Sequence, residues 1–463
     1  MGKGNILAYS ILFLWPIISI RLYQKRSIQE ASLWVLIGGF MFLPVKTMVD
    51  LPLMPPIGKH SMPVLSAIIG CWFIKRKPIN YFRHKGLLRL LSLSIVFIPF
   101  ITGELNSDRL MIGGHFWPGL THHDSLSSVI NQLLFVTPFF IGLQFFTRYE
   151  HQLLMFKLLV IAGLWYSIPI LYEIRMSPQI HSMVYGYFPH SFRQQARGGG
   201  FRAVVFMGHG LWVAFFVACV LTAATTLWKI REKVSRFSPA SVSYFFFVVL
   251  ILCKSMASLL YGLFAFILIR KMSYQMQFRA ATLVALLAIM YPTLSIMKVF
   301  PHQAISGIAN TYMGPDRAQS LEFRFDNERL LVEHARKRFF FGWGGWGRNR
   351  VHDEETGEDL TVTDGHWIIL FGTSGWLGFI AEFGMMALCI FRAKTAANLL
   401  KDKKQQTLLA AHALIVSVIM VDQLPNASLS PWLWLIMGIL LGRSEAIIIE
   451  SKRIKSKQEV IKT

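Results

Sequence analysis

Three arginines surround a run of three glycines in HSFRQQARGGGFRAVVFMGHG, residues 190–210. The planar guanidinium group of arginine matches the oxygen atoms of phosphate, and glycine lets the backbone approach a ligand closely. Arg202 stands at the start of an apolar run, where a buried charge needs a partner. We therefore expect Arg202 to bind an anion, with Arg197 as the next candidate. The alternative is that each of these arginines extends to lipid headgroups.

A carboxylate and an imidazole stand two residues apart in TVTDGHWIILFGTSGWLGFI, residues 361–380. Imidazole exchanges protons near neutral pH, so His366 is suited to act as a general base. Asp364 either orients that imidazole or is itself the base. Each residue also has a structural alternative to catalysis. A histidine at a helix N-terminus can simply reach water, and an aspartate there can cap the helix. The pair predicts proton transfer at the entrance of a helix.

An amphipathic helix is predicted between these two segments, in LEFRFDNERLLVEHARKRFFFGWGGWGRNRV, residues 321–351. From Phe325 to Arg338 the pattern places Leu330, Leu331, His334 and Ala335 on one face and charged residues on the other. The glycines and aromatic residues that follow end the helix. Such a helix can also be an interfacial element that lies on the membrane surface.

The chain that carries these residues is a polytopic membrane protein by composition. It has 463 residues, of which 54% are hydrophobic and 16% charged, whereas soluble proteins have about 25% charged residues. Apolar runs suited to a hydrocarbon core of about 30 Å recur throughout, and we predict an all-α fold with about 12 or 13 spans. The predicted spans lie near residues 5–21, 32–53, 62–74, 87–103, 129–146, 155–174, 204–228, 241–253, 256–269, 280–300, 366–391, 407–422 and 431–443.

The sequence leaves two features of the predicted spans undecided. The short pair 241–253 and 256–269 is either a tight hairpin or one long broken helix. The charged residues Lys254, Glu382 and Asp422 lie inside or at the ends of spans, where each either lines a polar cavity or marks a boundary error. The four cysteines all fall within spans, without disulfide or zinc-ligand spacing, so no bound metal is expected.

Lysine and arginine cluster at every second connection, which the positive-inside rule assigns to the cytoplasm. The complementary connections, 104–128, 175–203, 301–365 and 423–430, then face outward. We predict an N-terminal transmembrane bundle over 1–300, a large, partly helical periplasmic loop over 301–365, further transmembrane helices over 366–443 and a basic cytoplasmic tail over 444–463. The formal charge of +22 follows from this topology and from attraction to membrane lipids, so no nucleic-acid partner is expected.

The loop 301–365 differs in charge from the remainder of the chain. It holds 11 of the 25 acidic residues and only 8 Lys/Arg, a net charge of −3 against +25 elsewhere. It is the one extramembrane segment long enough for structure of its own. The first span follows MGKGN without a small-residue cleavage motif, which favours a retained helix over a signal peptide.

Several of these segments together resemble a known family. Arg324, FFFGWGGWG ending its helix, an acidic stretch, DGHW and FGTSGWLGFI resemble the core block of the bacterial O-antigen ligase and O-antigen (Wzy-type) polymerase superfamily. GGGFRAVVFMGHGLW resembles the block that this family carries in the preceding outward loop. The matching blocks cover about a quarter of the chain.

The resemblance implies an inner-membrane glycosyltransferase of the GT-C class with its active site on the periplasmic face. The donor is a glycan on undecaprenyl pyrophosphate, and neither a cofactor nor a metal takes part. In this view Arg324 and Arg202 stabilise the leaving pyrophosphate, and Arg197 and Arg329 are further substrate-binding candidates. His366 has the position of the family's functional histidine. Asp364 is similar to the loop aspartate of related peptidoglycan polymerases.

Several products are compatible with the resemblance. VTDGHWIILFGTSGWLGF is closer to the polymerase branch, which joins repeat units into O-antigen or exopolysaccharide, with a chain-length regulator as a possible partner. A ligase would instead move the glycan onto lipid A core in lipopolysaccharide biosynthesis, or onto another acceptor. An oligosaccharyltransferase would use a protein acceptor. A transporter of lipid-linked oligosaccharide would show internal repeats and polar residues near the midplane, and the sequence shows no such repeat.

Overall fold

The computed structural model describes residues 4–50, 55–81, 84–197, 199–234, 236–312 and 315–462. Within these ranges the chain is mostly helical, with only three short antiparallel ribbons. The helices are α1 Ile6–Lys25, α2 Ile28–Phe42, α3 Ser61–Ile69 continued by a π-turn Gly70–Ile74, α4 Leu87–Glu104, α5 His122–Phe145, α6 Tyr149–Met176, α7 Ile180–Tyr185, α8 Gly210–Ile230, α9 Pro239–Leu252, α10 Met256–Lys271, α11 Tyr274–Ile296, α12 His302–Tyr312, α13 Pro315–Arg336, α14 His366–Leu399, α15 Lys403–Asp422 and α16 Pro431–Lys462. The ribbons pair β1 Met48–Val49 with β2 Ile57–Gly58, β3 Leu110–Ile112 with β4 His115–Trp117, and β5 Ala196–Arg197 with β6 Gly200–Phe201.

The all-α polytopic membrane fold is confirmed. In the described part of the chain nine helices are long and apolar enough to span a membrane: α1, α4, α5, α6, α8, α11, α14, α15 and α16. Shorter apolar helices are α2, α3 with its π-turn, and α9. The span predicted over 32–53 contains a helix that ends at Phe42, because Pro44 disfavours helical backbone at Leu43; residues 51–54 lie outside the described ranges. The pair α9 and α10 forms two separate helices, joined at Lys254 in left-handed backbone conformation.

The most buried spans, α8, α15 and α16, form the centre of the bundle. Helix α8 is apolar around its whole circumference, as expected for a helix packed on all sides. Helix α16 packs against α5 and α14, and α11 packs against α15. Gly142 of α5 lies against the backbone of α16 around Leu435, so a larger side chain there would force these helices apart.

Helix α14 is broken, whereas the sequence predicted one continuous span over 366–391. Gly375 has φ 68° and ψ −169°, a backbone conformation that only glycine adopts readily. In a straight helix, residues 366 and 382 would be about 24 Å apart along the axis, yet their side chains are in contact. The segment 366–374 therefore folds back against the segment 376–399.

The glycine-rich turn 339–345 satisfies the backbone groups that this break leaves free. Trp376 N and Leu377 N donate to the carbonyl oxygens of Phe339 (2.7 Å) and Phe340 (3.2 Å). Trp343 N and Gly344 N donate in turn to the last carbonyl groups of the first segment, at residues 372 and 373. A helix can break within a membrane protein where other protein groups replace the lost hydrogen bonds. The turn therefore supports the break in α14.

The predicted amphipathic helix is α13, which begins earlier than expected, at residue 315, and ends at Arg336. Of the residues predicted to share one face, Leu331 and Ala335 are buried, whereas Leu330 is exposed. After α13 the loop docks on the bundle through Asp108, which follows α4. The Asp108 carboxylate accepts hydrogen bonds from Arg338 (2.7 Å) and from the buried Arg348 (3.1 Å). The loop 301–365 is thus held against the end of the bundle that carries the connections α4–α5, α6–α8 and α15–α16, which we call the site face.

Candidate functional site

A cavity of about 490 Å³ opens on the site face, and four cationic side chains line it. These are Lys46 after α2, Arg197 and Arg202 in the connection before α8, and Arg324 of α13. Among the described lining residues Asp364 is the only carboxylate. We call this space the cationic cavity. It brings together four residues predicted from the sequence: Arg197, Arg202, Arg324 and Asp364.

Arg202 is held by backbone rather than by a carboxylate. Its Nε and Nη2 atoms both donate to the carbonyl oxygen of Lys254, at 3.1 and 3.0 Å, and the Lys254 ammonium donates to the carbonyl oxygen of Arg197. Within the described residues Arg202 has no acidic partner within salt-bridge distance. Burial and the charge of Arg197 lower the pKa of Arg202, although guanidinium remains protonated. A bound anion would compensate this charge.

Arg324 and Asp364 form a pair between two cavities. Arg324 Nε lies 3.5 Å from Asp364 Oδ2, and each side chain is 44% exposed. Both residues also line a neighbouring cavity of about 220 Å³, which we call the apolar cavity. Its walls include Tyr291, Phe323, Phe325, Leu331, Ile368 and Leu424. A ligand that bridges the two cavities would contact Arg324 and Asp364 at the junction.

His366 lies beside the cavities and pairs with Glu382. His366 Nε2 is 2.5 Å from Glu382 Oε1, and Glu382 is only 2% exposed. The His366 side chain is 18% exposed and is not part of the wall of either cavity. The backbone N–H of His366 donates to Asn426, whose side chain bonds the buried Asp422. The break in α14 produces the His366–Glu382 pair, because it folds the first segment back along the second.

Two histidines, His190 and His209, line the cationic cavity, and both are held neutral. Nδ1 of His209 accepts a hydrogen bond from Leu211 N at 3.0 Å and so caps α8. Burial, together with the nearby His190 and Arg202, lowers the pKa of His209 to about 4. Burial and the charge of Lys46 also lower the pKa of His190. At neutral pH the positive charge of the cavity therefore comes from its lysine and arginines.

Arg329 does not contact either cavity. It is 67% exposed on α13 and lies 3.6 Å from Asp326, one helical turn away. The structure therefore separates Arg329 from the other predicted substrate-binding arginines. Gly198, the first residue of the triple glycine, lies outside the described ranges.

Three residues of the site were not singled out as site residues: Lys46 and His190, which line the cationic cavity, and Glu382, which contacts His366. Glu382 carried a signal, since it is a charged residue inside a predicted span, and the structure shows that it pairs with His366 rather than marking a boundary error. Asp422 is likewise buried inside the fold, where it accepts hydrogen bonds from Ser428 (2.6 Å) and Asn426 (2.8 Å). Lys46 and His190 have no sequence pattern that distinguishes them from other loop residues.

Comparison of the chain with protein-family models and with curated proteins gives no match. We therefore infer the function from the motifs and from the geometry of the site.

Proposed function

We propose that the protein is a GT-C-type glycosyltransferase of the bacterial inner membrane, which polymerises undecaprenyl-pyrophosphate-linked repeat units into a surface polysaccharide at the periplasmic face. The observation that carries the proposal is the cationic cavity, where Arg202 lacks an acidic partner among the described residues and Arg324 pairs weakly with Asp364. A diphosphate supplies the negative charge that such a cavity lacks.

The chemistry follows from this charge. An acceptor hydroxyl attacks the anomeric carbon of the donor, the bond from that carbon to the diphosphate oxygen breaks, and the lipid diphosphate leaves with increased negative charge. Arginine side chains that the fold holds in position before the reaction stabilise this charge better than water does, because they need not reorganise during the reaction. The apolar cavity, which shares Arg324, is suited to the isoprenoid carbons next to the diphosphate.

The proton of the acceptor hydroxyl must go to a base on the site face. Asp364 borders both cavities, and His366 stands two residues further along the chain with Glu382 behind it. We propose that His366 accepts the proton through Nδ1, since Nε2 is engaged by Glu382. Asp364 then holds Arg324 until the donor diphosphate replaces it. Catalytic contacts are often longer without substrate, so a position beside the cavity is compatible with this role.

The test is complementation of a strain that lacks the gene. Wild type, Arg202→Ala, Arg324→Ala and His366→Ala are compared at equal membrane levels, with the exposed Arg329→Ala as matched control. We expect the first three variants to accumulate single undecaprenyl-linked repeat units without long chains, and the control to resemble wild type.

Two other outcomes would change the proposal. Long lipid-linked chains that never reach an acceptor would indicate a ligase. Wild-type behaviour of Arg202→Ala, Arg324→Ala and His366→Ala alike would refute the site and favour a transporter of lipid-linked oligosaccharide.

A further inference from the structure

A third cavity on the site face, of about 240 Å³, lies between α4, α5, the turn 339–345 with Trp346, and the break in α14. We propose that this polar cavity is a carbohydrate subsite that binds one sugar residue of the glycan. The inference rests on the proposed function, because it assigns a place to part of the same substrate.

The polar cavity contains side chains that the fold leaves without partners. Ser128, Asn131 and Gln132 follow one another at helical spacing on α5 and line it together with Ser374 of α14. In the described part of the chain none of these four side chains makes a hydrogen bond to another protein group. Polar side chains in a span usually pair or mark a functional cavity. Amide and hydroxyl groups both donate and accept hydrogen bonds, as sugar hydroxyls require.

Trp346 supplies an aromatic surface at the edge of this cavity. Its side chain is 75% exposed, which is unusual for so large an apolar group. Its φ of 60° is in the left-handed region, where a bulky residue is strained, and such strain is concentrated at functional sites. The Asp124 carboxylate lines the same cavity. An exposed indole face can stack on the C–H face of a sugar ring, while its edge remains polar.

The charge of the polar cavity excludes a second phosphate site. No lysine or arginine is among the described residues that line it, and the Asp124 carboxylate is part of its wall. An anion would therefore be repelled, whereas a neutral polyhydroxylated ring would not. A hydrocarbon chain is also disfavoured, since it would leave the amides of Asn131 and Gln132 unpaired.

The position of the polar cavity fits a glycan held by its diphosphate. The segment 366–374 of α14 begins next to Asp364, at the cationic cavity, and ends with Ser374 in the polar cavity. Nine helical residues extend about 13 Å, a distance that a short oligosaccharide covers. The polar cavity is therefore expected to select a sugar beyond the one that reacts.

The test measures sugar binding directly, by saturation-transfer NMR on the full chain in lipid nanodiscs. The probes are the methyl glycosides of glucose, galactose, mannose and N-acetylglucosamine, each added alone. We expect at least one probe to bind, Trp346→Ala to weaken that binding at least about tenfold, and Trp346→Phe to retain most of it. The Asn131→Ala/Gln132→Ala double variant should lose binding, and Asn310→Ala, which changes an exposed asparagine on α12, should not. Absence of transfer from all four probes, or equal transfer in wild type and the double variant, would overturn the assignment.

Failure of this inference is distinguishable from failure of the proposed function. If no sugar binds while the Arg324→Ala strain still accumulates lipid-linked repeat units, only the subsite is wrong. If sugars bind as expected but that strain resembles wild type, the carbohydrate site stands and the polymerase proposal fails. Binding of undecaprenyl pyrophosphate provides a second readout, which should be lost in Arg202→Ala and kept in the double variant.

Discussion

Arg324 is the residue at which the two neighbouring cavities meet, and its pairing explains how a substrate would change the site. Its guanidinium group lies near Asp364, but the 3.5 Å separation and the 44% exposure of both side chains indicate a weak ion pair. A diphosphate offers several oxygen atoms to the same guanidinium group and would displace Asp364. Binding of the donor would therefore release a carboxylate at the place where the acceptor arrives.

Substitution of Arg324 tests this role. We expect Arg324→Ala to lower the rate of glycan transfer by about 10²–10³-fold, as for loss of one fixed donor to a developing oxyanion. Arg324→Lys keeps the charge but loses the planar fork, so it should recover only part of the rate. The assay is turnover of a lipid-linked repeat unit by purified protein. Equal rates for Arg324→Ala and for the exposed Arg329→Ala would contradict the assignment.

Glu382 has the geometry of a positioning residue for His366. Its carboxylate engages Nε2, which leaves Nδ1 to exchange a proton. We expect Glu382→Gln to lower kcat with little change in KM, because a neutral amide no longer stabilises the positive charge that the imidazole gains when it accepts the proton. A role that is only structural would lower the amount of folded protein and leave kcat per folded molecule unchanged. A kcat equal to that of wild type would therefore exclude the proton-transfer role.

The predicted site residues and Glu382, whose role was not predicted, differ for a physical reason. Arg202, Arg324 and Asp364 lie at the ends of apolar runs or in loops, where the sequence signals that polar groups gather at the membrane surface. The pairing of Glu382 with His366 depends on the folding back of α14, and that fold depends on Gly375 and on contacts with a turn 30 residues earlier in the chain. A local pattern cannot predict such a contact.

At the scale of the helix, the break in α14 is the element that organises the site face. It brings the start of the first segment to the cationic cavity and its end to the polar cavity, and it exposes backbone groups that the turn 339–345 satisfies. The sequence predicted both the span and the glycine-rich turn, but it did not predict that each completes the hydrogen bonds of the other.

Gly375→Ala tests the break. A β-carbon at this position would overlap the backbone of Phe340 and Phe341, and φ 68° with ψ −169° disfavours any side chain. We expect a loss of at least about 2 kcal/mol of stability, measured as a lower thermal midpoint in detergent, together with loss of transfer activity. Gly384→Ala in the same helix is the control, since its β-carbon would lie 3.6 Å from Leu91, an ordinary contact. Equal midpoints for the two variants would show that the break is not required.

The histidines of the site face predict how stability depends on pH. Burial lowers the pKa of His181 and of His209 to about 4, whereas an unfolded chain has a value of about 6.5. Between these values the unfolded state binds protons that the folded state excludes, so stability falls as the pH is lowered from about 6.5 to about 4. His209→Asn keeps a side-chain acceptor at the cap of α8 and removes one titrating group.

Thermal midpoints across this pH range test the prediction. We expect the midpoint of His209→Asn to fall less steeply with acid than that of wild type, and to be close to wild type at pH 8. A steeper fall in the variant would show that His209 does not titrate in this way.

At the scale of the whole molecule, the connections at the two ends of the bundle differ in net charge. The net negative loop 301–365 lies on the site face, and the basic connections meet at the opposite end. There Lys229 donates to the carbonyl oxygen of Arg270 at 3.1 Å, and Arg392 pairs with Glu445. The sequence predicted that basic and acidic connections alternate along the chain, from the positions of its lysines and arginines. The docking of the loop through Asp108 was not predictable, because it joins residues 230 or more positions apart.

The orientation of this charged molecule gives a prediction that does not depend on enzymatic activity. By the positive-inside rule we expect the site face to be periplasmic. All four native cysteines are buried, so a membrane-impermeant maleimide should not label wild type. Glu355→Cys, exposed in the loop 301–365, should be labelled in cells whose outer membrane alone is permeabilised, and Lys401→Cys, exposed between α14 and α15, only after the inner membrane is opened. The reverse pattern would place the cationic cavity in the cytoplasm, where donors carrying a flipped glycan are absent, and the proposed reaction would be impossible.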